Sequence, residues 1–198
     1  MKKVLPKQFY ERDTHIVAAE LLGKILVRGV GDKKITGRIT EVEAYVGEDD
    51  LACHASKGRT LRTEVMFGEA GRAYVYLIYG MYHCLNVVTD QKAFPAAVLI
   101  RALEPIEGID LMKNYRSTEQ LTRLTTGPGK LCDALAITKK QNGVPLSRSA
   151  GIHIEDDDFT VRKNDIVTSP RIGVDYAKHC AQYPWRYYLK DSKFLSRT

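Results

Sequence analysis

The segment 72–89 constrains the fold more than any other part of the chain. Two runs rich in tyrosine, valine and leucine, 72–79 and 82–89, meet at Gly80-Met81. Extended runs joined by so short a glycine-bearing turn read as a β-hairpin. A second pair, 24–30 and 34–46, meets at Gly31-Asp32 and reads the same way. Residues 96–103 form a further strand, which Pro105 is expected to end. Helices are expected elsewhere. Asp13-Thr14 can cap one that stops at Gly23, residues 107–116 look helical, and Thr126-Gly127-Pro128-Gly129 precedes another over 130–136. Segment 48–63 is polar and reads as a loop or short helix, and the tail offers short strands at 151–154, 160–161 and 186–189. The expected class is α+β: a single domain over 1–198 with a mainly antiparallel, curved sheet, a protruding hairpin and surrounding helices.

Composition narrows the function classes. At 198 residues and 44% apolar content the chain can bury a core without staples, which sets aside disordered and fibrous classes. A net charge of +6 favours a polyanionic partner modestly, since basic side chains near phosphates gain by releasing counterions. Cys53, Cys84, Cys132 and Cys180 are scattered and form no C-x-x-C pair, as expected of buried thiols in a reducing compartment. Met1-Lys2-Lys3 is followed by Pro6-Lys7-Gln8 rather than an apolar run, and no stretch is long enough to span a bilayer. A cytoplasmic protein is expected.

Three segments carry polar or aromatic residues where a sheet would not need them. In 38–45, strand periodicity puts Glu41, Glu43 and Tyr45 on one face. For an arbitrary strand, glutamates facing solvent are the commoner case. In 74–82, Tyr74, Tyr76 and Ile78 face one way, and Tyr79 falls at the hairpin tip. A tyrosine stripe is usually core, but an aromatic at an exposed tip is the kind of wedge that minor-groove proteins push between base steps. In 97–103, Arg101 shares a face with Leu99 and Leu103. A guanidinium there needs a partner. Glu43 is available, although the sequence does not show contact.

These segments follow one another in a fixed order: Glu41-Val42-Glu43-Ala44-Tyr45, His54, Met66-Phe67, 74–86, Arg101-Ala102-Leu103-Glu104-Pro105 and Gly127-Pro128-Gly129-Lys130-Leu131. The series resembles the alkyladenine (3-methyladenine) DNA glycosylase family, in its bacterial form, over residues 12–190. The resemblance implies a monofunctional DNA glycosylase of base excision repair. Its partner would be double-stranded DNA carrying a damaged purine, with 3-methyladenine, 7-methylguanine, hypoxanthine and ethenoadenine as substrates. A bacterial, nucleoid-associated protein is expected; the sequence does not read out the oligomeric state, for which a monomer that scans DNA is the simplest expectation.

Roles carry over to matching positions. Glu43 would be the general base that activates water, and Arg101 would position that water. Tyr45, His54 and Tyr76 would wall the pocket for the extruded base, and Asn86 would clash with the 2-amino group of guanine. A backbone carbonyl near Arg171-Ile172-Gly173 would also serve the site, which adds Ile172 to the base-binding set. Tyr79 would intercalate, with Met81 beside it. Gly129 and Lys130, at a helix start, and Arg59, Arg62 and Arg171, on charge and position, are candidates for phosphate contact. No metal or cofactor is implied, and no amine is placed by motif for a Schiff base. Thr63 and His83 depart from the family pattern.

Three other readings compete. Cys53-His54 and His83-Cys84 could supply zinc ligands, but adjacent residues of an extended chain point to opposite faces. Glu41 and Glu43 could suggest a carbohydrate hydrolase, but two carboxylates on one strand face cannot flank a scissile bond. A non-catalytic DNA-binding module fits the charge and the wedge, though not Glu43 in its motif.

Overall fold

The computed structural model describes residues 2–196. Among these residues nine strands form one sheet in which every pairing is antiparallel, together with four short α-helices. The strands are β1 (Lys3–Val4), β2 (Ile25–Val30), β3 (Lys33–Val46), β4 (Ala73–Ile78), β5 (Tyr82–Val88), β6 (Ala96–Glu107), β7 (Ile152–Asp156), β8 (Ile166–Ser169) and β9 (Arg186–Leu189). Their order is β1-β7-β2-β3-β6-β5-β4. The fourteen-residue β3 is the spine. One side of it takes β6, while β2 pairs with its first part and β9 with residues 41–43.

Each element follows from local chemistry. The first helix is α1 (Lys7–Tyr10). In α2 (Thr14–Leu21) the Asp13 carboxylate accepts hydrogen bonds from the N–H groups of His15 and Ile16 at 2.9 and 3.0 Å. This helix buries Val17, Ala18 and Leu21 and gives way at Gly23, whose φ is 83°. The β2–β3 hairpin turns through Gly31-Asp32 as expected, with Val30 opposite Lys33. At the other hairpin Tyr79 and Gly80 both have positive φ, 53° and 69°, and Met81 N–H donates to the Ile78 carbonyl at 3.2 Å.

Pro105 does not end its strand. β6 continues to Glu107, and Pro105 lies opposite Gly37. The ladder passes from Thr36↔Glu107 to Gly37↔Pro105, so Ile106 is an extra residue on β6. A proline is tolerated beside such a bulge, where the regular ladder is already broken. The next helix, α3 (Ile109–Arg116), therefore starts after Gly108, whose φ is 76°. The last, α4 (Pro128–Ala134), starts earlier than expected because Pro128 takes the first helical position. Residues 160–161 are not a strand. Val161 and Phe159 pack over Gly23, and Arg38 lies 4.3 Å from the centroid of the Phe159 ring. The strand in this region is β8, which pairs with β9.

Two further register shifts shape the centre of the sheet. Between Ile39↔Leu103 and Glu41↔Ala102, Thr40 is extra on β3. Between Glu41↔Ala102 and Val42↔Ile100, Arg101 is extra on β6. The alternation of β6 breaks there, so Leu103 joins Ile100 in the main core instead of sharing the face of Arg101 and Leu99. Bulges bend a strand and re-aim side chains, and this pair curves the sheet at the residues of chemical interest. The main core lies under the opposite face, with Leu21, Ile39, Val42, Leu85, Ile100 and Leu131. No helix among the described residues is long and apolar enough to cross a membrane.

The Asp13 cap generates a stability expectation. Asp13→Ala should lower the unfolding free energy by about 1 kcal/mol, read as a lower urea midpoint at unchanged slope. An unchanged midpoint would show that the two capping bonds contribute nothing.

Candidate active site

The face of β3, β6, β5 and β4 turned away from the main core carries a cavity of about 410 Å³. Tyr45 comes from β3, Tyr74, Tyr76 and Ile78 from β4, Cys84 and Asn86 from β5, and Leu99 and Arg101 from β6. The segment 172–174 and Tyr176 close one side.

Glu43 lies just behind this wall, fully buried. Three donors converge on its carboxylate. Ile172 N–H reaches Oε1 at 2.8 Å, and the Tyr45 hydroxyl and Arg101 Nη1 reach Oε2 at 2.8 and 3.1 Å. A carboxylate has about four lone-pair directions, so roughly one is left for a further donor. The contact between Glu43 and Arg101, open at the level of sequence, is a direct ion pair. The bulge at Arg101 makes it, by turning the guanidinium toward β3. Burial works against the charge of Arg101, but Glu43 and Glu41 outweigh it and hold its pKa above the usual arginine value.

Glu41 is not a surface glutamate either. Its side chain is wholly buried, accepting from Arg101 Nε at 3.2 Å, Arg186 Nε at 2.7 Å and the Ser196 hydroxyl at 2.8 Å. Charges therefore alternate along Glu43, Arg101, Glu41 and Arg186. Buried charges persist only when paired and hydrogen-bonded in this way.

The aromatic residues gather as expected. The His54 ring stands edge-on to Tyr76, with centroids 4.5 Å apart, and its Nδ1 lies 2.9 Å from the Tyr74 hydroxyl. Burial, with Arg62 and Lys57 nearby, pushes the His54 pKa down to about 4, so the ring is neutral at pH 7. Asn86 is buried at the wall and donates to the Tyr74 carbonyl at 3.1 Å. Tyr79 and Met81 sit at the hairpin tip, 82% and 64% exposed, and Tyr79 also borders the cavity. A tyrosine at positive φ carries strain of about 1–2 kcal/mol, held here by the turn.

The basic candidates divide. Arg59 is exposed and forms a two-pronged pair with Glu64. Arg62 is exposed above the Tyr76 ring, 5.0 Å from its centroid. Lys130 is exposed at the start of α4. Gly129 packs against Tyr82, where an added Cβ would meet the ring at 3.0 Å. The phosphate role expected of Arg171 does not hold. Its side chain is wholly buried and paired with Asp50 at 2.6 and 2.7 Å, so it cannot reach a phosphate.

The sequence reading missed Glu41 as a partner of Arg101, Asp50 as the partner of Arg171, and Tyr176 at the rim. Asp50 falls in the acidic run Glu48-Asp49-Asp50, which looks like a solvated turn. Nothing in the spacing marks one of the three as buried. The zinc reading has no ligand set, since no group of three or more histidine, cysteine or acidic side chains is placed to hold a metal among the described residues.

Comparison with known proteins points the same way as this geometry. The model of the methylpurine-DNA glycosylase family matches residues 8–193. A protein of Methanocella arvoryzae, provisionally named a 3-methyladenine DNA glycosylase, is 53% identical over 195 residues, covering 98% of this chain and 96% of its own. Proteins of Bacillus mycoides and Clostridium perfringens with the same name are 51% and 46% identical over 202 residues, covering 97% and 98% of this chain and 98% of their own. With a family model spanning nearly its whole length and relatives of this identity matched end to end, the chain belongs to the methylpurine-DNA glycosylase family and is a DNA glycosylase.

Proposed function

We propose that the protein extrudes alkylated or deaminated purines from duplex DNA and hydrolyses their N-glycosidic bond with water activated by Glu43. The observation that carries this reading is a carboxylate just behind an aromatic cavity, fixed by three donors, Tyr45, Arg101 and Ile172, that all line it. In the reaction a water held between Glu43 and Arg101 gives its proton to the carboxylate. Its oxygen bonds to the anomeric carbon, and the bond to the purine nitrogen breaks with its electron pair leaving on the base. A purine that carries a positive charge departs as a neutral base, which makes it a good leaving group.

The walls suit such a base. Tyr45, His54 and Tyr76 offer rings for stacking, as expected for a flipped nucleotide. Neutral His54 matters here, because an imidazolium would repel a cationic purine. Asn86 is held by its bond to Tyr74 and disfavours unmodified guanine by crowding its 2-amino group, a cost that the positive charge of 7-methylguanine offsets. Tyr79, presented by the strained turn, fills the gap in the base stack. Double-stranded DNA with a damaged purine is the partner, drawn by the net positive charge. 7-Methylguanine carries the same positive charge as 3-methyladenine and leaves in the same way, whereas hypoxanthine and ethenoadenine are neutral and leave as neutral bases when a ring nitrogen takes up a proton from solvent as the bond breaks.

Three expectations test the reading. Glu43→Gln should lower release of 3-methyladenine from methylated duplex by about 10²–10⁴-fold with duplex binding retained, measured as free base after a single turnover. Full activity in this variant would remove Glu43 as the base, and no release by the wild type would leave a lesion-binding module. Tyr79→Ala should cost about tenfold or more on duplex and much less on single strands, where no stack has to be filled. Equal losses on both substrates would reject the wedge. Finally, the His54 ring should stay neutral from pH 8 down to about 5.5 and titrate near 4 when followed by proton NMR. A midpoint near 6.5 would contradict the neutral wall.

A further inference from the structure

We propose that Arg171, clamped by Asp50, is a positioning residue for base excision, holding Tyr45 and Ile172 where they meet the Glu43 carboxylate. The proposal rests on the reading of Glu43 as the general base.

Arg171 is the meeting point of five segments. Its two terminal nitrogens pair with the two oxygens of Asp50 at 2.6 and 2.7 Å. Nη1 also donates to the Ala44 carbonyl on β3 at 2.9 Å, and Nη2 to the Cys180 carbonyl at 3.2 Å. The guanidinium lies 4.8 Å from the centroid of Tyr45 and 4.9 Å from that of Trp185. Asp50 in turn accepts from Ala52 N–H at 3.1 Å and Val46 N–H at 3.3 Å. Each side chain of the pair is wholly buried.

Two of these contacts lead directly to Glu43. Ala44 and Tyr45 follow Glu43 on β3, and the guanidinium holds the carbonyl of one and the ring of the other. The Tyr45 hydroxyl donates to Glu43 Oε2. Ile172, the residue after Arg171, donates its backbone N–H to Oε1 at 2.8 Å. Two of the three donors on the carboxylate therefore depend on where one guanidinium sits. The third, Arg101, is held by Glu41 and Ser196 instead. A planar fork with bidentate pairing and stacking faces can fix all of these directions at once, and an ammonium cannot.

The arrangement is also costlier than simple stability requires. Burying two charges is weak evidence for a stabilising role, since an apolar pair of similar volume often serves as well. Positioning a catalytic carboxylate requires fixed directions, which a planar ion pair supplies and apolar packing does not.

The test compares Asp50→Asn/Arg171→Gln, which leaves neither charge unpaired, with Arg171→Lys, which keeps the charge and loses the fork. Both are measured on duplex DNA containing one ethenoadenine, whose fluorescence reports stacking. Thermal unfolding selects the variant that is folded at the assay temperature, and titration of active enzyme normalises the rate. Positioning predicts a single-turnover excision rate constant lower by about 10- to 100-fold, with duplex affinity within about threefold of the wild type and altered ethenoadenine fluorescence in the complex. A purely structural role would lower the unfolding temperature and the active fraction but leave the normalised rate constant within about twofold, and that result would overturn the proposal. A loss carried by affinity alone would also overturn it. Glu43→Gln, measured alongside, keeps the two questions apart: if that variant is fully active the reading of the base fails, whatever the Arg171 variants do.

Discussion

The ion pair between Arg101 and Glu43 is the interaction on which the rest of the site depends. Both groups are buried in the middle of a sheet, where an unpaired charge would be very costly. The structure meets that cost by continuing the pairing outward. Glu41 takes the other side of Arg101, Arg186 takes Glu41, and the Ser196 hydroxyl bridges Arg101 and Glu41. Strand β9 is thus tied to the centre of β3 by charge as well as by backbone pairing, and Ser196 by hydrogen bonds. The two adjacent bulges at Thr40 and Arg101 make the pairing possible, because a regular ladder would keep strict alternation through residue 101.

Around that fixed centre the molecule divides into a rigid floor and an exposed tip. The floor is built on long central strands, with the second ion pair, Arg171 and Asp50, holding the segment 171–173 against Glu43. Functional groups on strands backed by a packed core keep their geometry better than groups on loops. The tip does the opposite. Tyr79 is placed at positive φ with its ring in solvent, a costly position that only a specific turn maintains. The aromatic cavity and the exposed Tyr79 are thereby joined by one hairpin strand, β4, whose Tyr74, Tyr76 and Ile78 line the cavity up to the tip.

Much of the fold was legible because its signals are local. The Asp13 cap, the Gly31-Asp32 turn and the glycine-bearing tip each act over a few residues, and the structure contains all three. The misreadings came where context overrode a local rule. Pro105 is a strand breaker by its own chemistry, yet the extra residue at Ile106 had already broken the ladder beside it. The pair Thr160-Val161 has strand propensity, but the neighbouring apolar side chains cover Gly23 instead. Arg171 reads as one more basic residue in a basic chain, and its partner Asp50 lies 121 positions away in an acidic turn.

By itself, the sequence determined the antiparallel hairpins, the shared face of Glu41, Glu43 and Tyr45, the tyrosine stripe and the family. These depend on a period of two, on turn residues and on motif order, which are properties of neighbours along the chain. Only the tertiary structure decided which charges are buried and with whom. It took Glu41 out of solvent, turned Arg101 onto Glu43 and withdrew Arg171 from the surface to stand behind Tyr45. Burial and pairing are set by residues far apart in sequence, and a charged side chain carries no mark of its partner until the fold removes the water around it.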